Sequence, residues 1–266
     1  QDKFAEAASA LDNVIGVYSL VSDYGSQFLR FGENGPESVF EIQYSNQSNW
    51  YDWGCAHCSE GNYAIIMNGP RGWSGPEYAQ GWSFNVPTEE FYNSFEEGDS
   101  RRDATVLDIE AFATANNATY TEGYEHTGYF NNKYIPRAGE SGGQTELNYL
   151  SNFRIIRYSD VLLMAAEAYN RGGIDDGLAQ EFLNQVRRRA FGDDDHDISA
   201  SGTALTDAIW EERKFELSLE GHRFFDLVRT GRASSLIAGF VEGKHEVFPI
   251  PQQEVDISGL TQNAGY

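Results

Sequence analysis

The stretch Asn152-Phe153-Arg154-Ile155-Ile156-Arg157-Tyr158-Ser159-Asp160-Val161-Leu162-Leu163-Met164-Ala165-Ala166-Glu167-Ala168 decides the fold class. Ile155, Tyr158, Leu162, Ala165 and Tyr169 step by three and four, which draws one apolar stripe along a helix. The stripe predicts a helix from about Asn152, and Gly172-Gly173 supplies its stop. A second helix follows with Ala179, Phe182, Val186 and Ala190 on one face. Two such helices on a short link form an antiparallel hairpin. The span from Asn152 to Phe191 is close to one tetratricopeptide-like unit of roughly 34 residues, with no second copy visible. A third helix is predicted from about Thr203 to Thr230, with Leu205, Ala208, Phe215 and Leu219 inward and Gly231 at its end. Pro249 and Pro251 predict an extended or turned C-terminal tail.

The pattern upstream is different. Phe4, Ala7, Ala8, Leu11, Val14, Ile15 and Tyr18 recur at helical spacing, so residues 1–23 read as a helical start. A chain that opens on such a helix is expected to begin inside a folded region, as a fragment does. Residues 24–150 are rich in Gly, Asn, Ser, Trp and Tyr, with short apolar pieces such as Val39-Phe40-Glu41-Ile42. They predict a loop-rich region with a strand or two, and long loop regions in compact domains are often functional. Within it, Pro87-Thr88-Glu89-Glu90 marks a helix start among short helices over 87–113. The expected organisation is one domain over 1–266: a helix over 1–23, a loop-rich ligand region over 24–150, and a helical region with an extended tail over 151–266.

The 266 residues carry 19 Lys+Arg and 41 Asp+Glu, a formal charge of −22. That acid excess argues against nucleic acid, whose binding needs a basic face, and against docking on an anionic lipid surface. A solvated, self-repelling surface accounts for it. Only Lys3, Lys133, Lys214 and Lys244 are lysines; the other cations are arginines, suited to forked carboxylate pairing. No segment reaches the roughly 18 apolar residues of a membrane helix.

Several patterns suggest chemistry. Glu212, Glu216 and Glu220 share a helix face, and paired carboxylates are the tools of glycoside hydrolysis. Arg213, Arg223 and Arg229 lie three positions from Glu216, Glu220 and Asp226, and Arg187, Arg188 and Arg189 sit on the preceding helix. Structural pairing is the favoured reading. His57 and Gly139-Glu140-Ser141-Gly142-Gly143 imitate serine-protease motifs, but Ser141 lacks the strand–helix setting of a nucleophile elbow. Asp193, Asp195 and Asp197 have the alternate spacing of a calcium loop, yet Ile198 and Ala204 stand where Gly and Glu are required. Cys55 and Cys58 form a lone Cys-Ala-His-Cys. It is short of a structural zinc site, and it reads as a short-loop disulfide or as two inert thiols. No cofactor motif is present.

The remaining signal is aromatic. Trp50, Trp53, Trp73 and Trp82 cluster with Tyr51, Tyr63 and Tyr78, among Asn46, Asn49, Asp52, Asn62, Asn68 and Arg71. A flat ring stacks on the apolar face of a sugar while nearby amides and acids bond its hydroxyls. Equally, such rings can close the loop region as a satellite core.

The helix quoted first resembles the signature of the SusD/RagB family, surface glycan-binding lipoproteins of Bacteroidota. Leu183-Asn184-Gln185-Val186-Arg187, the run from Glu211 to Gly231, Glu97-Gly98-Asp99-Ser100-Arg101-Arg102, Phe248-Pro249-Ile250-Pro251 and Gln262-Asn263-Ala264-Gly265-Tyr266 are similar to further family motifs. Ala264 stands where the family usually has Pro. The resemblance implies a mainly α, tetratricopeptide-like superhelical fold with long irregular loops and a few short strands. It further implies that this chain is the C-terminal portion, and that the N-terminal half with its lipid-anchored Cys lies outside it. The implied role is non-catalytic: capture of oligosaccharide or polysaccharide at the outer-membrane surface as partner of a SusC-like TonB-dependent transporter.

The family's ligand aromatics sit in variable loops, so position and chemistry alone select Trp50, Trp53, Trp73, Tyr78, Asn49, Asp52 and Arg71 as candidate ligand contacts. The alternatives are a glycoside hydrolase using Glu212 and Glu216, and a transporter-associated scaffold that binds peptides or no small ligand.

Overall fold

The computed structural model describes residues 2–47, 59–141 and 148–266. The chain divides into two compact units, 1–220 and 221–266.

The first unit is organised around the predicted hairpin. Helix α6 (Tyr158–Arg171) packs against α7 (Asp176–Phe191), α8 (Gly202–Glu216) and α1 (Phe4–Asp12). Tyr158, Leu162 and Ala165 of the α6 stripe meet Ala179, Phe182 and Val186 of α7 and Leu205 and Ile209 of α8 in one core. The turn is built as the sequence predicts. Gly173 adopts φ +60°, and Asp175 caps α7 by accepting from the Gly177 and Leu178 amides.

Four boundaries differ from expectation, each for a local reason. Helix α1 stops at Asp12, and residues 13–17 form turns with Gly16 at φ +82°. Residues Phe153–Arg157 are a strand, β6, paired antiparallel with β1 (Ser38–Ile42) from Ile42↔Phe153 to Ser38↔Arg157. The helical stripe therefore begins at Tyr158, and the strand delivers Arg154 and Arg157 inward.

The long third helix is two. Helix α8 ends at Glu216, and α9 spans Arg223–Arg229. The Glu216 carbonyl accepts from the Tyr24 hydroxyl (2.7 Å), Lys133 Nζ (3.1 Å) and Arg157 Nη2 (2.9 Å). That carbonyl is thereby diverted from the helical ladder, and the chain turns away with Leu219 at φ +63° and Gly221 at φ +89°. A short helix, α10 (Ala233–Leu236), follows α9. Finally, the tail contains helix α11 (Gln252–Ser258) directly after Pro251. A proline at a helix start costs no ladder bond, because the first amides have no intrahelical partner.

An ionic lattice lies under the helices of the first unit. Arg157 reaches Glu37 and Glu216 (both 2.8 Å) and Glu220 (2.8 Å). Arg101 pairs with Glu212, with Glu216 (3.1 Å) and with Asp99 (2.7 Å). Lys133 pairs with Glu220 (2.7 Å), Arg189 with Glu216 (2.6 Å) and Glu37 (3.1 Å), and Arg187 with Glu212 (2.9 Å). Five cations thus face five buried carboxylates: Glu37, Asp99, Glu212, Glu216 and Glu220. The partners of Glu216 and Glu220 named here come from distant segments rather than from three positions along the same helix. Of the expected local pairs, Arg229–Asp226 (2.7 Å) forms.

Two small sheets carry the loop-rich region. Strand β2 (Arg71–Ser74) pairs with β4 (Thr119–Thr121), and β3 (Val106–Asp108) with β5 (Tyr129–Asn131). Short helices α2 (Ala64–Met67), α3 (Glu89–Asn93), α4 (Arg101–Thr105) and α5 (Ile109–Asn116) join them. Thr88 caps α3 through the Phe91 amide at 3.1 Å, as its sequence context predicts. Among the described residues no helix is long and apolar enough to cross a membrane.

Candidate functional site

The loop-rich region presents an aromatic edge held by backbone pairing. The end of α2 and the residues after it accept, through their carbonyls, from the amides of residues 81–84. The Trp82 amide donates to Ile66 (2.9 Å), Phe84 to Met67 (2.9 Å), Ser83 to Gly69 (2.9 Å) and Gly81 to Pro70 (2.8 Å). The approach is so close that a Cβ at Gly81 would stand 1.8 Å from the Asn68 carbonyl oxygen. Ser83 and Asn85 adopt positive φ, +59° and +52°, on either side of Phe84. Two non-glycine residues held there is a costly arrangement of the kind stored at binding sites. It turns Phe84 outward, 53% exposed, under the Arg71 guanidinium at 5.7 Å. The half-buried Trp82 ring meets Phe84 edge-on at 6.4 Å. Tyr63 lies at the start of α2 and is 44% exposed, and Tyr44 is its neighbour. Burial, with a smaller effect of Tyr63, raises the Tyr44 hydroxyl above its ordinary range.

Candidate residues Asn49, Trp50, Asp52, Trp53, Cys55 and Cys58 lie outside the described residues, and so does His57. Their flanks are described. The Ser45 amide donates to Glu60 (2.9 Å) and the Asn62 amide to Tyr149 (2.8 Å). Asn148 Nδ2 donates to the Asn46 carbonyl at 2.8 Å. The chain on either side of 48–58 thus meets the chain just after 142–147, beside Tyr44 and Tyr63.

Arg71, Trp73 and Tyr78 separate in an instructive way. Arg71 is exposed, while Trp73 is buried, because the β2–β4 register is irregular between Arg71 and Ser74 and Gly72 takes φ +60°. Trp73 packs on Tyr78 (6.0 Å) and Phe112 (5.9 Å) in a core with Leu107, Ile109 and Phe130. Tyr78 is 4% exposed; Phe112 meets its ring at 5.0 Å, and the Arg137 guanidinium lies 5.3 Å from its centroid. Its hydroxyl donates to Asn132 Oδ1 at 3.2 Å, and burial pushes its pKa up to about 12. The expectation that these two rings present open faces to a sugar is therefore corrected: protein covers them, and they brace the strand that carries Arg71. Phe84 was absent from the sequence-based candidates. Its flanking Asn85, a residue type enriched at positive φ, was the available signal.

The carboxylate pair considered for hydrolysis is closed. Glu212 and Glu216 are buried and held by Arg101, Arg157, Arg187 and Arg189. Burial alone would raise the Glu216 carboxyl, but Arg189, Arg157 and Arg101 outweigh it and hold the group well below the usual carboxylate range. A general acid needs the opposite shift. The acidic loop at 193–197 spends its groups locally: Asp193 accepts from the Asp195 amide (3.1 Å) and Asp197 from Arg188 Nε (3.0 Å). Among the described residues no group of three or more His, Cys, Asp or Glu could hold a metal.

A family model described as the SusD family matches residues 36–238. The chain belongs to the SusD family. This SusD-family chain is 29% identical to SusD-like protein P2 of Formosa agariphila over 255 residues, 86% of its own length and 48% of the relative's. Surface glycan-binding protein A of Bacteroides thetaiotaomicron, solved in complex with laminarihexaose, superposes with a TM-score of 0.89. It is 32% identical over 99% of this chain and 60% of that one. A laminarin-binding SusD-like protein is 38% identical with a TM-score of 0.88, covering all of this chain and 59% of that one. The SusD-family chain therefore spans about half the length of the curated relative and three fifths of the solved ones. The fold is the mainly α, tetratricopeptide-like one that its sequence resembles.

Proposed function

We propose that this chain is the C-terminal part of a non-catalytic, surface-exposed protein of the outer membrane. It captures a laminarin-type glucan and passes it to a SusC-like TonB-dependent transporter. The observation that carries the substrate class is likeness along the whole chain to a laminarin-binding protein and to one solved with laminarihexaose. The charge of −22 supports a neutral glucan over a polyanionic one. Phe84 and Tyr63 supply exposed rings for stacking, and Arg71 supplies donors for hydroxyls. Trp50, Trp53, Asn49 and Asp52, outside the described residues, are further proposed ligand contacts on their chemistry alone. The closure of Glu212 and Glu216 within arginines supports capture without cleavage.

Native affinity electrophoresis against laminarin and a panel of charged polysaccharides tests this, with reducing ends assayed in parallel. Retardation by laminarin without new reducing ends is the expected result. Retardation by a charged polysaccharide alone overturns the substrate class, and release of reducing ends overturns the non-catalytic reading.

A further inference from the structure

Beside the edge that carries Arg71 and Phe84 runs the loop from Glu122 to His126, and two glycines seat it there. Thr121, at the end of β4, faces Arg71 across the β2–β4 pair. A Cβ at Gly72 would stand 2.6 Å from the Thr121 hydroxyl oxygen, and one at Gly123 would stand 2.8 Å from the Ser83 Cβ. Neither gap admits a side chain, so the loop lies directly against the residue that precedes Phe84. Gly123 is followed by Tyr124 as Ser83 is by Phe84, which keeps the Cα atoms of these two aromatic residues within roughly 13 Å of each other.

The loop is anchored on both sides. Ser83 Oγ accepts from the Arg71 amide at 3.2 Å. At the far end the Tyr120 hydroxyl and His126 Nε2 are 3.3 Å apart, and the His126 ring lies 6.0 Å from Phe130 of the satellite core. Between these anchors Tyr124 is 88% exposed, more than any other large hydrophobic side chain among the described residues. Glu125, directly after it, takes φ +53°. With Ser83 and Asn85, three non-glycine residues at positive φ flank the two rings, and backbone strain of this kind collects at ligand clamps. A phenol ring offers an apolar face to a sugar and a hydroxyl to its oxygens. Glu122 and Glu125, exposed on either side of it, are acceptors for sugar hydroxyls.

We infer that Tyr124 is a second stacking residue of the glucan site, so that one bound oligosaccharide lies across both Phe84 and Tyr124. The inference rests on the glucan reading above and on Phe84 as its contact. Two observations select the occupant. The contact of Gly123 with Ser83 makes the Tyr124 loop continuous with the Phe84 edge rather than a separate patch. The carboxylates of Glu122 and Glu125 beside the ring suit a neutral chain of hydroxyls and repel a polyanion.

The test is laminarihexaose titration of Tyr124→Ala and Tyr124→Phe in the product of the complete gene, with melting measured on the same samples. Binding weaker by roughly fivefold or more in Tyr124→Ala, with Tyr124→Phe within about twofold of wild type, is the expected result. Melting of both variants should stay within about a degree of wild type, so that the loss belongs to the contact and not to the fold. Wild type that binds with Tyr124→Ala unchanged overturns this inference alone. Equal losses in the two variants overturn the stacking role, since the ring is kept in Tyr124→Phe. Wild type that binds no laminarihexaose overturns the glucan reading itself, and this inference with it.

Discussion

The ionic lattice beneath the helices and the aromatic edge at residues 63–84 follow opposite designs. In the lattice every formal charge is matched: five cations face five carboxylates, and the Glu216 carbonyl itself takes three donors. At the edge, Phe84, Tyr63 and Arg71 keep much of their surface open. Closed stoichiometry specifies a single arrangement of distant segments and leaves no group for chemistry. Open faces on a backbone held by four close amide bonds leave surface for a ligand. Density of charge or of rings in the sequence does not separate these roles; which partners the fold supplies does.

The sharpest break of this contrast is Arg157→Ala. It leaves Glu37, Glu216 and Glu220 short of a buried partner, and removal of one member of a buried pair costs about 3–5 kcal/mol. Chemical denaturation of this variant should show a stability loss of that order or no folded baseline. A loss within experimental error of wild type would mean the lattice is not structural.

Acid should act on the same groups. Burial raises and the basic neighbours more strongly lower the Glu216 and Glu220 carboxyls. Their folded pKa values lie below the unfolded value near 4.3. Their stabilisation is complete above that value and is lost as pH falls through the folded values. Lys133 has the same sign of dependence in a higher pH window. Burial pushes it down to about 8 against the pull of Glu220, so its contribution becomes more favourable as pH rises from about 8 towards its unfolded value near 10.4. Urea midpoints should therefore drop steeply below about pH 4 and show no loss from this lysine between pH 8 and 10. An acid-insensitive midpoint would contradict the lattice as drawn.

The helical half was legible because its signal is local. The stripe Tyr158, Leu162, Ala165, the Gly172-Gly173 stop and the Thr88 start depend on neighbours in sequence. What stayed hidden depends on distance. Nothing in the run Glu216 to Gly221 announces that Tyr24, Lys133 and Arg157 divert one carbonyl and end the helix. Arg154 and Arg157 sit in a strand because β1, more than a hundred residues earlier, pairs with them. The aromatic signal placed the region but not the residues: a register irregularity at Gly72 sends Trp73 inward and leaves Arg71 outside.

That division predicts a variant that spares the fold. Phe84→Ala removes an exposed ring and no core contact of Trp73 or Tyr78. Laminarihexaose titration should show binding weaker by roughly 5- to 30-fold, the equivalent of about 1–2 kcal/mol. Melting should stay within about a degree. Unchanged affinity would remove Phe84 from the site and leave the Trp50 and Trp53 stretch as the remaining proposal.

Tyr78→Phe probes the boundary between the two designs with the smallest change. It deletes one hydroxyl and keeps the ring against Trp73 and Phe112. The lost bond to Asn132 is expected to cost about 0.5–1.5 kcal/mol of stability, since Asn132 Oδ1 retains a 3.3 Å contact with Arg137 Nη2. If Tyr78 is a brace, glucan affinity should be unaltered while the denaturation midpoint falls slightly. If the hydroxyl is instead a ligand contact, affinity falls, and the satellite core must open when sugar binds. Titration and denaturation on the same sample separate the two, because a bracing hydroxyl moves only the denaturation midpoint.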